Sequence, residues 1–476
     1  MDYSKNFDAS SSKFNMLQRI PMNGTAKQVW YAFITLLIYV SMGFSRNYVA
    51  FLNHQLDQPD SKIHLSNDEK TWIASSGTML APFTCLASGF LMDVIGRKSC
   101  LLIMFIPFII SWAMISAASS YELIFVAMII SSGALGIGES IIPYVSEIST
   151  TKYRGLLLSL VDVTLNFGVI ICSFLMYFLK WNIVAIIVTV LSFVSLLLTF
   201  ILPESPVWLY SKGKKDQAIE VLVALRSKSR DELEDEIKDM ELALEAIDMK
   251  GGGMMKKCFL AWRQFLIANV LFFLIVLAGP LIFLSYTILI IDELKIPYDA
   301  STITVIYSIA GFCGSFLTPF FMHNFKRKVA LIVSAGGMTI SMLGVSLYEF
   351  FFLESEFKPC VWIVPVLLCV YNLLDNMAVF PLSFVIGGEI FPLEVRGTLQ
   401  GCFGCLAWIS WAVGLKYYPN VMFDFGVTTM LWCFTVSCAL LVVFGIFILP
   451  ETHGKTLNEV QEEYFSEKKM KNGSTI

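Results

Sequence analysis

Apolar residues in this 476-residue chain neither alternate nor recur on a single helical face; they run in long, nearly unbroken blocks. Blocks of roughly 18 to 25 residues, the length an α-helix needs to cross the hydrocarbon core of a bilayer, follow one another with short charged clusters between them. They fall at 29–52, 72–93, 99–119, 121–146, 156–178 and 183–202, and again at 264–290, 302–323, 329–352, 360–389, 397–418 and 427–449. Runs of this length read as helices and not as the shorter strands of a barrel. The pattern therefore predicts an all-α polytopic membrane protein of twelve transmembrane helices.

The twelve blocks divide into two sets of six. Glu147-Ile148 followed by Arg154-Gly155 recurs with the same internal spacing as Glu389-Ile390 followed by Arg396-Gly397. Pro203-Glu204-Ser205 after the sixth block is echoed by Pro450-Glu451-Thr452 after the twelfth, and Arg97-Lys98 by Arg327-Lys328. Three landmarks in the same order at nearly one shift mark an internal repeat, the plan of a transporter that rocks about a central site. The expected organisation is a tail at 1–28, a six-helix bundle at 29–202, a loop with short helices at 203–262, a second bundle at 263–449 and a tail at 450–476. Within the loop, Asp231 to Lys250 is rich in Glu, Asp, Leu and Ala and reads as a solvated helix.

Composition agrees with the pattern: 56% of residues are hydrophobic and only 15% charged, more apolar surface than a soluble core of this size hides. Charge sets orientation. Of the 34 Lys and Arg, 27 fall in the tails and alternate loops of one side, and six, Lys62, Lys70, Lys180, Lys295, Lys358 and Lys416, on the other. Basic loops stay cytosolic, so both termini are expected in the cytosol. The first block follows a polar, charged leader and reads as a retained span, not a cleaved signal. Asn23 and Asn472 head glycosylation sequons in those tails, where they are expected to stay unmodified.

Several functions are excluded. The eleven cysteines lie mostly within the apolar blocks, and Cys402 and Cys405 are packing residues in the eleventh, not a redox or metal pair. Four histidines make no zinc set, and no Gly-rich phosphate loop is present, so neither a metal nor ATP nor any other cofactor is expected. No nucleophile and base stand out, which argues against an enzyme.

Gly89-x3-Asp93-x2-Gly96-Arg97-Lys98, Glu147-Ile148-Ser149 with Arg154-Gly155, Pro203-Glu204-Ser205-Pro206-x-Trp208-Leu209, Glu389-Ile390-x-Pro392-x3-Arg396-Gly397 and Pro450-Glu451-Thr452-x-Gly454-Lys455-Thr456 resemble the signature set of the sugar-porter branch of the major facilitator superfamily. Within that branch the chain is most similar to arthropod facilitated trehalose and hexose transporter-like proteins. The resemblance implies a gating network of Asp93, Gly96, Arg97, Glu147, Arg154, Glu204, Arg327, Glu389, Arg396 and Glu451 at the cytosolic mouth. Carboxylates and arginines at helix ends suit a latch, because their directional contacts can be shed into water; the expectation is that they pair between the two bundles when that mouth is closed. Val94, Val207, His323 and Asn324 replace charged residues usual in the branch. Gly133, Gly136 and Gly138, Gly311 and Gly314, and Gly397, Gly401 and Gly404 are expected to let helix backbones pack closely.

Sugar recognition needs amides or hydroxyls to replace water and an aromatic platform. Span-by-span likeness to the branch puts Asp162 at a glutamine position, Ile275, Val276 and Leu281 where amides are usual, Asp375-Asn376 for a Phe-Glu pair and Phe384 for a tryptophan. The remaining hydroxyl-binding candidates are Asn47, Asp162, Asn166, Ser285, Tyr286 and Asn376, with Phe384, Trp408 and Trp411 as platforms. Charge has meanwhile been gained inside spans: Arg46, Glu139, Asp162 and Asp375, each costing roughly 3 kcal/mol if ionised and unpartnered in a bilayer. Arg46 and Asp162 are the expected partners. Coupled symporters of the branch carry an Asp in the first span and an Arg in the fourth; Asn47 and Ala127 stand there, which implies uniport.

The expected function is alternating-access transport of a trehalose- or hexose-like solute, most simply as a monomer in the plasma membrane, with solute and lipid as partners and no nucleic acid. Alternatives are a transporter-like sensor that no longer cycles and a proton-coupled symporter of another small polar solute.

Overall fold

The computed structural model describes residues 24–453 except 60, 239, 242–257, 260, 353–354, 356–357 and 393–394, and the side chains at 151, 152, 155, 156, 159 and 396 also lie outside the description. Twelve helices are long and apolar enough to cross a membrane: α1 Gly24–Leu56, α2 Asn67–Ile95, α3 Arg97–Ser116, α4 Tyr121–Ile148, α5 Leu160–Phe178, α6 Trp181–Thr199, α7 Trp262–Glu293, α8 Ala300–Asn324, α9 Arg327–Phe352, α10 Ile363–Ile390, α11 Gly397–Phe425 and α12 Val427–Phe447. The α5 helix reaches back to Thr151 and α11 to Arg396. Each apolar block became one span, and α1 begins five residues before the predicted start at 29.

Local chemistry fixes the helix ends. Ser66 starts α2 with a capping box in which Glu69 answers the Ser66 backbone, and Asp299 starts α8 by accepting from Thr302 N at 2.7 Å. Four spans are interrupted near mid-membrane. α2 breaks at Leu80 and α4 at Glu139-Ser140; α7 breaks at Gly279-Pro280; α10 carries a π-helical stretch at Asp375–Val379. Gly279 holds φ +93°, and a Cβ there would stand 2.2 Å from the Phe434 ring, so both backbone and packing require glycine. Irregular backbone at membrane depth survives only where it is enclosed by protein or lines a cavity, and here it surrounds the centre of the molecule.

Successive helices reverse direction, so Arg97, Glu147, Glu204, Arg327, Glu389 and Glu451 all emerge at one end of the bundle, here termed the motif face. Within the first six helices α1 packs on α5 and α3 on α4 and α6; within the second, α9 packs on α10 and α12. The two halves meet along α5 with α8, α2 with α11, and α1 with α7. Within each half, backbones touch where glycines lie: a Cβ on Gly314 of α8 would meet Leu373 O of α10 at 2.2 Å, and one on Gly136 of α4 would meet Ala81 O of α2 at 2.5 Å. Gly397 and Gly401 have open space instead, so close packing does not explain them. Outward-facing Phe83, Phe90, Ile340 and Phe447 are all more than two-thirds exposed, the apolar belt that lipid covers.

In the long loop, short helices at Pro206–Ser211 and Lys215–Arg226 dock on the first half. Arg226 donates to Ile148 O at the end of α4 and pairs with Glu236, while Lys27 of α1 donates to Ala224 O. The expected helix from Asp231 begins as a 3-10 turn at Asp231–Leu233 and is helical at 234–238 and 240–241, while 239 and 242–250 lie outside the described residues.

Candidate functional site

A cavity with room for about one water molecule lies between the halves, lined on the first by Arg46, Asn166 and Val169 and on the second by Ser308, Asn372, Asp375, Asn376, Phe380 and the Pro280, Leu281 and Leu284 turn of α7. The π turn positions the polar set: its extra residue places both Asp375 and Asn376 inside, with 3% and 7% exposure. Asn372 donates to Tyr307 O at 2.8 Å, and Asn376 donates to Asn372 Oδ1 at 2.9 Å. Asn47 donates to Ser173 Oγ of its own half at 2.5 Å and, across the boundary, to Ser308 Oγ at 3.4 Å.

Arg46 lines this cavity and makes no hydrogen bond or ion pair within 4.0 Å to any described residue. Its guanidinium lies instead over the rings of Phe380, at 4.7 Å, and Trp411, at 5.4 Å. The carboxylates whose charge it feels are Asp162, then Glu139, then Asp375. The expected Arg46–Asp162 bond is therefore absent in this conformation: Asp162 accepts from Asn166 at 3.4 Å, and one cation is shared among three acids. Asp162 Oδ2, Asp375 Oδ1 and Asn47 Oδ1 are buried and accept no hydrogen bond from a described residue.

The other candidates are distributed around this centre. Trp408 and Trp411 stack at 5.1 Å, and Trp408 neighbours Glu139 at the break in α4. Phe384 packs among Phe272, Phe380 and Phe403. Ser285 and Tyr286 lie off the cavity and are occupied in helix packing: Ser285 donates to Leu281 O, and the buried Tyr286 hydroxyl donates to Leu415 O. Phe380, Asn372 and Ser308 were not singled out from sequence, since nothing marks a π turn or a helix crossing in advance.

At the motif face the repeat is visible in atomic detail. In the first half Arg97 pairs with Glu147 at 3.1 Å, Ser205 Oγ donates to Glu147, and the Glu204 carboxylate accepts from the Lys98 backbone N–H at the start of α3. In the second, Arg327 pairs with Glu389 at 2.9 Å, Thr452 Oγ1 donates to Glu389, and Glu451 accepts from the Arg327 and Lys328 N–H groups at the start of α9. Each carboxylate after a half's last span thus caps the free N–H groups of that half's third helix, where the helix dipole favours it. Gly96, at φ +94°, brings the chain against Glu204. Asp93 is exposed and 3.5 Å from Arg97, and Arg154 donates to Ser146 O. The side chain of Arg396 lies outside the described residues.

These pairs close within a half. Among the described residues this conformation holds no ion pair between the bundles at the motif face: Arg97 and Arg327 each meet the acid of their own half, and Arg154 meets a backbone carbonyl. Among the described residues, every hydrogen bond between the halves lies toward the opposite face: Asn47 and Ser173 with Ser308, Tyr177 with Thr302, and Lys416 with Asp68 and Thr71.

The profile of the family described as "Sugar (and other) transporter" matches residues 30–464. The facilitated trehalose transporter Tret1 of Apis mellifera ligustica is 26% identical over 465 residues, covering 96% of this chain and 92% of its own. Tret1 of Aedes aegypti is 26% identical over 435 residues, covering 89% of this chain and 53% of its own. Among solved structures, the proton:xylose symporter XylE bound to 6-bromo-6-deoxy-D-glucose superposes with TM-score 0.76 at 18% identity, covering 92% of this chain and 99% of that one. The inward-open form of XylE from E. coli gives the same score, 0.76, at 18% identity over 91% of this chain and 99% of that one, so the likeness fixes the fold and not the state. The twelve spans, the duplicated charge network and the match along nearly the whole chain place this protein in the sugar-transporter family of the major facilitator fold: it is a membrane transport protein, not an enzyme.

Proposed function

We propose that the chain carries a sugar-like, polyhydroxylated solute, trehalose- or hexose-like in kind, across the bilayer by alternating access, as facilitated uniport. The observation that carries this reading is the cavity between the halves, where Asn166, Ser308, Asn372 and Asn376 offer the amide and hydroxyl groups that replace water on sugar hydroxyls and Phe380 offers a ring face. Asn47, Asp162, Trp408 and Trp411 surround it and complete the set as the cavity opens. The named activity of the Tret1 relatives supports the solute class. The uncharged Asn47 and Ala127 support uniport.

The moving units are 29–202 and 263–449, joined by 203–262. The excess of Lys and Arg supports a cytosolic motif face with both tails, 1–28 and 450–476, on that side. The proposed site of action is the plasma membrane and the proposed working unit a monomer. Arg97, Glu147, Glu204, Arg327, Glu389 and Glu451 govern the cytosolic mouth by holding each half's helix ends together, and Asp93, Gly96, Arg154 and Arg396 belong to the same gating set.

The test is tracer uptake into proteoliposomes holding the purified chain, without ATP, over glucose, trehalose, a polyol and an organic cation. Saturable entry of trehalose or a hexose, unaffected by collapsing a proton gradient, is expected. Entry of charged non-sugar solutes alone would end the sugar reading, and dependence on the gradient would end uniport.

A further inference from the structure

The central site holds an imbalance that a neutral solute leaves unresolved. One guanidinium, Arg46, shares the cavity wall with Asp375 and feels the charge of Asp162 and Glu139 as well, and none of the three carboxylates forms an ion pair with it. An ionised carboxylate in the membrane interior needs a cation or a proton. Arg46 is further drawn onto the Phe380 and Trp411 rings, so its charge is spent against aromatic faces and dispersed over three acids.

The unmet acceptors point the same way. Asp375 is 3% exposed, lines the cavity, and keeps Oδ1 without a hydrogen-bond donor among the described residues. Asn47, fully buried beside Ser308 on the cavity wall, keeps Oδ1 free as well, its amide N–H groups already given to Ser173 and Ser308. The Asn376 amide N–H groups are given to Asn372 and the Asn372 amide donates to Tyr307 O, while a Cβ on Gly311 would stand 2.7 Å from Asn372 Nδ2, so the acceptor Asn376 Oδ1 is what this pair has left for a solute. What Asp375 Oδ1 lacks is a positively charged donor, since the one cation on this wall, Arg46, is turned onto the Phe380 and Trp411 rings.

We infer, on the basis of the sugar-like reading above, that this site selects polyhydroxylated solutes bearing a protonated amine, an amino sugar being the simplest. The ammonium donates to Asp375 Oδ1 and supplies the missing cation, while the hydroxyls use Asn166, Ser308 and the aromatic wall. Acetylating the amine removes both the charge and two donors. A carboxylate on the solute instead, as at C6 of D-glucuronate, sets a fourth acid among the three.

The experiment measures ligand-induced thermal stabilisation of the purified full chain with D-glucosamine at a pH that keeps it protonated, N-acetyl-D-glucosamine, D-glucose and D-glucuronate, beside uptake of labelled glucose and trehalose. D-glucosamine is expected to bind at least about tenfold tighter than the neutral pair, since a desolvated charge contact is worth more than one decade. Asp375→Asn should bring the ligands to within about twofold, and Asp375→Glu should restore the preference. Equal binding of amine and neutral sugars, which means that protons and not solute neutralise the acids, overturns the inference and leaves the sugar reading standing. A preference for glucuronate overturns it too. D-glucosamine binding with no glucose or trehalose entering does the reverse, keeping the amine site and ending the reading of a neutral hexose or trehalose as the cargo; binding of none overturns both. Should Asp375→Asn fail to fold, the ligand series on the unaltered protein decides.

Discussion

Lys416 of α11 reaches across the boundary between the halves and meets Asp68, in the first turn of α2, at 2.5 Å. Three further features hold it: Thr71 Oγ1 accepts from the same ammonium at 2.8 Å, the Trp72 ring lies 4.2 Å beneath it, and Trp72 Nε1 donates to the other Asp68 oxygen at 3.1 Å. The lysine is largely buried while Asp68 is open to solvent. This is the one ion pair between halves among the described residues, and it stands at the face opposite the motifs.

Lys416→Met should therefore favour opening on that face. With reactive cysteines removed and a cysteine placed at Ser308, labelling by a membrane-impermeant thiol reagent from that side should rise about three- to fivefold, the scale of one partly screened pair plus a ring contact. Added salt should mimic the substitution in the unaltered background. No change in labelling would remove Lys416 from the gate.

The motif-face arginines should differ sharply from their exposed neighbour. Arg97→Ala strands Glu147, whose side chain is 16% exposed, and should cost about 3 kcal/mol of thermal stability in detergent. Asp93→Ala, at 77% exposure, should cost little that can be measured. Equal losses would mean that the within-half pairing does not hold the bundle together.

Arg46 should behave as the hub of several acids. Arg46→Met is expected to cost about 3 kcal/mol, and pairing it with Asp162→Asn, or with Asp375→Asn, should each return only about a third of that. Full recovery in the Asp162 double variant would show that those two residues form a private pair after all.

Two glycines at positive φ separate backbone strain from collision. Gly426, at φ +86°, has nothing within 4 Å of the place an alanine methyl would occupy, so Gly426→Ala should cost about 1 kcal/mol from conformation alone. Gly279→Ala adds a clash with Phe434 and should cost about 3 kcal/mol or more. Similar melting temperatures for the two variants would mean that the α7 break yields to its neighbours.

The sequence made the spans legible because membrane helices must be continuous and apolar, and it made the repeat legible because Arg97, Glu147 and Glu204 recur at fixed spacing as Arg327, Glu389 and Glu451. What it could not convey was which partner each charge chooses. Spacing is the same whether Arg97 meets the acid of its own half or of the other. Lys416 read as one more basic residue of a sparsely charged side, since its partner lies 348 positions away. Asn372 and Phe380 escaped notice because a π turn shifts the helical register, moving residues inward that a regular 3.6-residue count would turn elsewhere. Ser285 and Tyr286 were polar residues in an apolar run, and their hydroxyls turned out to serve backbone carbonyls.

The carboxylate caps on α3 and α9 have a mechanical consequence. Each six-helix unit ties its last span to its third through bonds that begin and end inside that unit, so turning one unit against the other stretches none of them. The charges most conspicuous in the sequence then act as internal bracing that makes each unit a stiff lever arm. Resistance to turning is concentrated at the far end, in a lysine's few contacts and the serine and asparagine hydrogen bonds beneath it, where the medium on that side of the membrane sets how easily the fulcrum gives.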